Sequence, residues 1–322
     1  MTLRPFRIIL VLVTSLIPLA LLAVLVFLAR YSWPALTFNG WHFLTGHTWS
    51  LGNLYADPVK RRGVLVPIGA NYGILVFIVG TLLTSAIALV IAIPVSLGVA
   101  VFLAEGLRSR RLKAPLSFVV EMLAAVPSVV YGLWGYAVLT PLVAHTLGPG
   151  LRAVLGFVPF FAGPIGSGYG LLAASIVLAL MVVPIIAATV RDALARVPSE
   201  TKEAAYALGA THFEVVRRAM LPTVRGNIIG AGILGLGRAL GETMAVLMVS
   251  GGALNYFPGN IYSPITTMAS FIVSQLDSAM QDPTGMAVRS LAEIALILFI
   301  ISVITNIIAR LLTGASRNAT LV

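Results

Sequence analysis

The chain has 322 residues, of which 59% are hydrophobic and only 10% are charged, and its mean hydropathy is +1.00. Soluble globular proteins are roughly half apolar and about a quarter charged, so an ordinary water-soluble enzyme is excluded. Cysteine is absent, which excludes disulfides, thiolate catalysis and cysteine-based metal sites. The net charge of +10 is typical of a protein that meets nucleic acid, an anionic membrane surface or an anionic cargo.

Six long apolar runs follow one another along the chain. A helix of about 20 apolar residues spans a bilayer, because lipid offers no partner for backbone N–H and C=O groups. The first run exceeds the apolar core of a secretory signal, so it predicts an uncleaved anchor. We therefore predict an all-α membrane protein with six transmembrane helices. The runs cover residues 8–29, 74–104, 118–145, 170–190, 227–251 and 291–312.

The basic residues predict how these helices are oriented. With the N-terminus inside, 14 of the 21 Lys and Arg residues fall in cytoplasmic segments and Arg238 alone lies within a span. Such a bias is typical of cytoplasmic loops, so both termini are predicted to be cytoplasmic. It explains most of the basicity without any nucleic acid. The predicted organisation is an anchor with an outer loop at 1–73, a transmembrane domain at 74–312 and a tail at 313–322.

The longest predicted cytoplasmic segment, residues 191–226, begins with the signals of a short helix. Ser199 can cap its N-terminus and the helix then runs through Ala207. Gly209 follows the last helical residues, where a glycine in the left-handed conformation commonly ends a helix. The segment thus predicts one short helix and a sharp turn.

A second helix is predicted directly after this turn. Thr211 and Glu214 have the spacing of a capping box, and the helix should end near residue 220, before Pro222. A helix-turn-helix can read DNA, but this one is tethered at both ends to membrane spans, which argues against that role. A connector lying on the lipid surface and an element that docks another protein both remain open.

Six residues of this segment resemble the EAA loop of ABC importer permeases at fixed spacing. They are Glu203, Ala204, Ala205, Gly209, Leu221 and Pro222. Ala219 departs from the pattern, which usually has Ile there. The resemblance implies the type I ABC importer permease fold and a coupling helix that inserts into a cytoplasmic ATPase. It also implies that Glu203 is the polar anchor and that Ala204 and Ala205 permit close approach.

The fifth run contains charged residues at membrane depth. Arg238 lies eleven residues after Asn227, or about 16 Å along a helix, and a guanidinium there costs about 3 kcal/mol. Glu242 follows four residues later, on the same face of a continuous helix. One interpretation is a self-neutralising pair that locks helices together. The other is that Arg238 binds a tetrahedral oxyanion while Glu242 orients it and accepts a hydrogen bond from protonated phosphate.

The segment LGLGRALGETMAVLM at 234–248 resembles the phosphate-specific ABC importer permeases of the PstC type, and residues 126–132 resemble their helix-breaking Pro-Ser segment. The resemblance implies that phosphate passes Arg238, Glu242, Thr243 and Ser128. It also implies three partners beside the lipid bilayer of a bacterial inner membrane. These are a homologous PstA-like permease subunit, a PstB-like ATPase dimer and a PstS-like phosphate-binding protein.

The chain contains no phosphate-binding loop of the ATPase type, so the predicted subunit is not an enzyme. We predict no cofactor and no metal in this chain, while the partner ATPase uses ATP and Mg. The alternatives are an ion-coupled secondary anion transporter, which would not explain the docking loop, and a membrane enzyme acting on lipid phosphates, which would need a nucleophile or metal site.

Several further residues have two interpretations. The G-x-G-x-x-G spacing of Gly230, Gly232 and Gly235 is better explained by close helix packing than by dinucleotide binding, because no strand precedes it. Glu121 and Glu293 lie near span ends, where a carboxylate can reach the lipid headgroups or take part in the transport site, and the headgroups are the favoured interpretation for both. Ser128 could serve the pathway or satisfy the broken helix beside Pro127.

Overall fold

The computed structural model describes residues 3–106 and 109–318, so predictions that fall on Arg108 and on residues 319–322 lie outside the described residues. The described chain is mostly helical. Its helices are α1 Leu3–Asn39, α2 His42–Thr45, α3 Leu75–Gly106, α4 Arg110–Ala125, α5 Ser128–Leu155, α6 Leu171–Ala195, α7 Ser199–Ala207, α8 His212–Thr223, α9 Arg225–Leu240, α10 Met244–Val249, α11 Met268–Met280 and α12 Met286–Asn318. Its strands are β1 Trp49–Ser50, β2 Val59–Arg61, β3 Val64–Val66 and β4 Asn71–Tyr72, and a 3₁₀ turn covers Pro159–Phe161.

Within the described residues, α1, α3, α5, α6 and α12 are long and apolar enough to cross a membrane. A sixth span results if α8 and α9, which meet at a bend of 70°, are one broken span. The predicted all-α membrane protein is therefore confirmed. The cytoplasmic position of the two termini stays a prediction.

The third span lies ten residues further along the chain than the sequence predicts. The predicted run at 118–145 is interrupted between α4 and α5, and the span is Ser128–Leu155. Proline lacks an N–H and disfavours helical geometry in the residue before it. Val126 accordingly adopts an extended backbone with ψ 130° in front of Pro127. Residues after 145, where the predicted run ends, continue the helix to Leu155.

One compact unit of the chain comprises residues up to 75 together with residues 272–301. Here β1 pairs antiparallel with β4, and β2 pairs antiparallel with β3. The turn between β2 and β3 has positive φ at Arg62 (47°) and Gly63 (84°), as a tight two-residue hairpin requires. Buried Trp49 and Tyr72 pack with their ring centroids 4.9 Å apart, and they anchor the small strands.

The second compact unit comprises residues 76–271 and the chain from 302. Its centre is α6, and most residues of this helix are buried inside the protein. Helix α9 packs closely against α6 at Gly235, where an added methyl group would lie 2.6 Å from Val182 Cγ1 and 3.0 Å from Ile186 Cδ1. Close packing is therefore the role of this glycine, whereas Gly230 faces open space.

The two acidic residues expected at the headgroups have protein partners. Glu121 forms an ion pair of 2.9 Å with Arg191, which ties α4 to α6. Glu293 is only 1% exposed and accepts a hydrogen bond of 2.8 Å from the side-chain amide of Asn39. The same amide lies 3.4 Å from the hydroxyl of Ser290. For Glu293, the prediction that the carboxylate reaches the headgroups is wrong, because sequence alone does not reveal a partner 254 residues away. For Glu121, whose side chain is exposed beside Arg191, it stays a prediction.

Candidate transport pathway and coupling surface

The predicted fifth span is not one continuous helix. Helix α9 ends at Leu240 and α10 begins at Met244, with Gly241, Glu242 and Thr243 between them. Glycine is a poor helix former, and short polar side chains compete for backbone hydrogen bonds. The Thr243 hydroxyl donates to the Gly241 carbonyl at 3.3 Å, and Glu242 Oε1 accepts from the backbone N–H of Ala245 at 3.3 Å.

This break changes the relation between Arg238 and Glu242. Since α9 ends before Glu242, the two residues do not share a helical face, and the predicted contact between carboxylate and guanidinium is wrong. No described carboxylate lies within 4.0 Å of the Arg238 guanidinium. The interpretation as a self-neutralising pair therefore loses its basis.

Arg238 lies in the last turn of α9 and its side chain is exposed in the single chain. A cation at this end of a helix interacts favourably with the partial negative charge of the last carbonyl groups. The guanidinium also interacts electrostatically with the phenol of Tyr131 in α5, so Arg238 lies on the side of α9 that faces this helix. The guanidinium is thus held at a helix end with its N–H donors available.

The break before α5 is completed by a residue that the sequence interpretation missed. Proline at 127 cannot donate to the carbonyl of Leu123, and the hydroxyl of Tyr131 donates to that carbonyl at 2.9 Å. The Ser128 side chain is half-buried and makes no hydrogen bond with the described residues. Tyr131 therefore bonds to one carbonyl of the broken helix, to which the backbone N–H of Val126 also donates at 3.4 Å, whereas Ser128 does not. The signal was present, since Tyr131 follows Pro127 by one helical turn.

The two interrupted helices contact one another. A methyl group added at Gly132 of α5 would lie 2.7 Å from Met248 Sδ and 3.0 Å from Ala245 Cα of α10. Ser128 is one turn, about 6 Å, from Gly132, and Thr243 is two residues before Ala245. Because α5 packs on α10, the break before α5 and the break before α10 lie on the same pair of contacting helices.

Irregular backbone is tolerated at membrane depth only where it is buried in protein or lines a water-filled cavity. Gly241 is exposed in the single chain, and Glu242 and Thr243 are half-buried. Together with Arg238, the breaks present guanidinium N–H groups, two hydroxyls and one carboxylate. This set suits transient binding of an oxyanion. Among the described residues, no group of three or more His, Asp or Glu could hold a metal ion.

The turn between α7 and α8 follows the capping signals closely. Gly209 has φ +82°, its N–H donates to Tyr206 at 2.9 Å, and the N–H of Ala210 donates to the Ala205 carbonyl at 3.2 Å. These two bonds define a Schellman ending, so the predicted helix end is confirmed. The predicted cap at Ser199 is wrong, because Ser199 is already the first helical residue and Pro198 occupies the cap position without a side-chain bond.

The capping box at the start of α8 is confirmed. The Thr211 hydroxyl accepts from the backbone N–H of Glu214 at 3.4 Å, and Glu214 Oε2 accepts from the backbone N–H of Thr211 at 3.0 Å. The predicted end near residue 220 is wrong, since α8 continues through Pro222 to Thr223. A wider π-type turn over Val215–Met220 changes the hydrogen-bond pattern before the proline.

The residues that resemble the EAA loop lie on this helical pair. Glu203, Ala204, Gly209 and Pro222 are exposed, whereas Ala205 and Leu221 are half-buried and pack against the core. Large apolar side chains that the sequence interpretation did not single out lie exposed in the same two helices and their turn. They are Tyr206, Leu208 and Phe213.

One ion pair ties this surface to the membrane helices. Lys202 Nζ lies 2.6 Å from Glu105 Oε1, near the end of α3.

We call Glu203, Ala204, Tyr206, Leu208 and Phe213 the coupling surface. It combines a carboxylate and a small residue with exposed apolar side chains, two of them aromatic, and aromatic side chains are enriched in protein interfaces.

Comparison with solved structures defines the class of fold. The structure matches the methionine ABC transporter MetNI in an inward-facing conformation with a TM-score of 0.52 and 19% identity, covering 74% of this chain and 93% of that chain. It matches a bacterial ABC transporter that imports the acidic polysaccharide alginate with a TM-score of 0.50 and 16% identity, over 74% and 78% of the two chains. The fold is that of the type I ABC importer permeases, as predicted.

Residues 93–317 match the family of binding-protein-dependent transport system inner membrane components, and the chain belongs to this family. It is 50% identical over 289 residues to the phosphate transport system permease protein PstC 1 of Mycobacterium tuberculosis, covering 88% of this chain and 85% of that protein. It is 40% identical over 296 residues to PstC of Haemophilus influenzae, covering 91% and 87%. The chain is thus a multi-pass membrane permease that works with a separate ATPase and a substrate-binding protein.

Proposed function

We propose that the chain is the permease subunit of an ATP-driven importer of inorganic phosphate. Relatives in Mycobacterium tuberculosis and Haemophilus influenzae that share 40–50% of its residues are named phosphate transport permeases. The observation that carries the proposal is the exposed Arg238 guanidinium in the last turn of a broken helix, where none of the described carboxylates pairs with it. An unpaired arginine at this depth is costly unless it meets an anionic ligand or water.

Phosphate is held at the two helix breaks. The planar guanidinium of Arg238 donates to two phosphate oxygens, and the hydroxyl of Ser128 donates to a third. The Thr243 hydroxyl gives up its 3.3 Å bond to the Gly241 carbonyl in order to donate to the fourth oxygen. One oxygen of Glu242 already accepts from the backbone N–H of Ala245, and its other oxygen accepts a hydrogen bond from the O–H of monohydrogen phosphate, which keeps its proton. Sulfate carries no proton at neutral pH, so this carboxylate favours phosphate over sulfate.

The subunit acts within a larger assembly in the bacterial inner membrane, with both termini in the cytoplasm. A homologous PstA-like subunit completes the pathway, and a PstS-like protein delivers phosphate from outside. A PstB-like ATPase dimer binds ATP and Mg and receives the coupling surface. Closure of that dimer moves Glu203 and its neighbours, and the spans then alternate between outward and inward states.

The two alternative functions are not favoured. An ion-coupled transporter has no use for a docking loop of the EAA type, and the chain belongs to a family of binding-protein-dependent permeases. The relatives are named as transport permeases, which are transport subunits rather than enzymes acting on lipid phosphates.

Substitution Arg238→Gln tests the proposal. We expect ATP-dependent uptake of radiolabelled phosphate into vesicles to be abolished, because the charged fork is lost while the helix is retained. Arg225→Gln is the matched control, since Arg225 is an exposed arginine at the other end of the same helix. Both variants should retain the ATPase during purification. Normal uptake by Arg238→Gln would refute the assigned site.

A further inference from the structure

Helix α12 carries a short polar patch that neither the pathway residues nor the coupling surface includes. Residues 294–301 are all apolar, as in a typical membrane span. Ser302, Thr305 and Asn306 then follow at positions i, i+3 and i+4, so they share one face of the helix. Residues 307–309 are apolar again. The patch is therefore an exception within an otherwise apolar part of the span.

Asn306 has hydrogen-bonding groups that the described residues leave unused. Its side chain is exposed in the single chain, and its Nδ2 donates to the Ser302 carbonyl at 2.8 Å. An asparagine amide carries two N–H donors and an acceptor oxygen. The second N–H and Oδ1 form no hydrogen bond within the described chain. An amide in this state is costly against hydrocarbon, because lipid offers neither a donor nor an acceptor.

Two surroundings would remove this cost. A polar side chain in a span can face a water-filled cavity, or it can complete its hydrogen bonds with a helix of another subunit. The contacts of Asn306 favour the cavity, because they place the side chain beside the helix that contains Arg238.

Asn306 lies beside the last turn of α9, where Arg238 is found. Its Nδ2 is 3.9 Å from the position that a methyl group added at Gly237 would take. Gly237 and Asn306 belong to the same compact unit, and Gly237 directly precedes Arg238. The amide therefore lies next to the turn of backbone that carries the guanidinium.

The space on this side of α9 is open. Among the described residues, a methyl group added at Gly241 would meet only carbonyl oxygens of α9 itself, those of Gly237 at 3.9 Å and Arg238 at 4.0 Å. Arg238 and Gly241 are exposed in the single chain. Gly237, Arg238 and Gly241 follow one another along one side of the helix by their spacing. Asn306 therefore borders a space that packed side chains of the described residues do not fill.

We propose that Asn306 is a further residue of the transport pathway, where its side-chain amide hydrogen-bonds the oxyanion that Arg238 binds. Nδ2 donates its second N–H to an oxyanion oxygen, and Oδ1 accepts from the O–H of monohydrogen phosphate. Each phosphate oxygen can accept more than one hydrogen bond, so the amide adds to the bonds from Arg238. Asn306 thereby extends the site of the proposed function, on which this assignment rests, to helix α12.

The absence of cysteine from the chain makes this position directly testable. We expect the thiol of Asn306→Cys, in the purified permease–ATPase complex in lipid nanodiscs, to react with the water-soluble reagent 2-sulfonatoethyl methanethiosulfonate. Ile304→Cys is the matched control, because Ile304 is also exposed in the single chain but lies about 160° around α12 from Asn306. The thiol at position 306 should react about tenfold or more faster, because a thiolate forms in water and not in hydrocarbon. Mass spectrometry of this chain measures both rates.

A second measurement tests whether position 306 lies near Arg238. The cationic analogue 2-(trimethylammonium)ethyl methanethiosulfonate reacts with the same thiol, and the positive charge of Arg238 should favour the anionic reagent over it. At low salt, the ratio of the anionic to the cationic rate should fall about threefold or more when Arg238→Gln is added. Arg225→Gln, at the other end of α9, should leave the ratio unchanged.

Uptake separates a role in binding from a role in folding. Asn306→Asp keeps the shape of the side chain but adds a negative charge that repels the anion, so phosphate uptake should fall about tenfold or more. Asn306→Leu removes the hydrogen bonds at similar volume and should reduce uptake about fivefold. Both variants should retain the ATPase and the melting temperature of the parent, whereas loss of a purely structural hydrogen bond would lower the melting temperature.

Three results would overturn the assignment of Asn306. Equally slow reaction at positions 306 and 304 would mean that lipid or another subunit covers the amide. A rate ratio that does not respond to Arg238→Gln would place the side chain away from the guanidinium, and normal uptake by Asn306→Asp would exclude contact with the anion. Because the labelling needs no transport, its failure would leave the proposed function to be decided by uptake in Arg238→Gln alone.

Discussion

Two interruptions of helical structure in this chain contain the same kinds of residue and differ in what stabilises them. Between α7 and α8, Gly209 takes a left-handed conformation and the adjoining caps are all bonds between residues within five positions of one another. Between α9 and α10, Gly241 keeps φ −94°, and the two local side-chain bonds are both 3.3 Å long. The second break depends on packing of α10 against α5 at Gly132.

The difference teaches that local chemistry is sufficient to define a turn in the loop, but not a break in a span. In the loop, the unpaired N–H and C=O groups at the helix ends are bonded by residues at fixed spacings, and such spacings can be recognised in the sequence. At the break between α9 and α10, the polar groups are also bonded locally, but α10 packs on Gly132 of α5, which is far away in sequence. The turn between α7 and α8 should therefore tolerate small backbone changes, whereas the packing beside the break between α9 and α10 should not tolerate larger side chains.

The largest effect is expected at the coupling surface from a reversal of charge. Glu203→Lys should reduce copurification of the ATPase by about tenfold or more, because loss of an anchoring interfacial charge costs about 2–5 kcal/mol. Glu200→Lys makes the same change in the first turn of the same helix and should retain the ATPase. Undiminished copurification with Glu203→Lys would exclude this carboxylate as the anchor.

An intermediate effect is expected where the two broken helices meet. Gly132→Val adds side-chain atoms where even one methyl group would overlap Met248 and approach Ala245, and overpacking of this kind costs about 1–3 kcal/mol. Phosphate uptake and the thermal stability of the complex should both fall. Gly150→Val is the control in the same helix, since an added methyl group at Gly150 meets nothing within 4 Å. Equal behaviour of the two variants would show that this packing does not support the break.

The smallest effect is expected at the loop turn. Gly209→Ala places a side chain at φ +82°, which costs about 1 kcal/mol, although the space around the position is open. Thermal unfolding should begin slightly earlier while uptake stays near that of the parent. Gly226→Ala, in helix α9 with open space and no positive φ, should instead leave the melting temperature unchanged or raise it. A large loss of uptake in Gly209→Ala would mean that this turn does more than end a helix.

Much of the fold could be predicted from the sequence because its signals are local. Apolar runs gave the spans, and the spacing of Thr211 and Glu214 gave a capping box that the structure contains. Gly209 was correctly placed after the first loop helix. The wide turn that carries α8 past Pro222 could not be predicted, because proline usually marks a helix end and nothing nearby indicates a π-type turn.

The candidate site was predicted only in part. Residue type and depth identified Arg238, but the assumption of a continuous helix placed Glu242 on the wrong face. Contacts between distant segments decide the remainder, including Asn39 against Glu293 and Gly132 against α10. A single sequence does not specify such pairings, because each partner alone fits several surroundings.

The 2.6 Å ion pair between Lys202 and Glu105 has a mechanical consequence. Helix α7 is joined through the chain to α6 and α8, and this pair also fastens it to the end of α3. A displacement of α7 therefore pulls on more than one transmembrane helix at the same moment. On the proposed function, a push by the ATPase on the nine residues of α7 is therefore transmitted both to α3 and to the helices that follow α7.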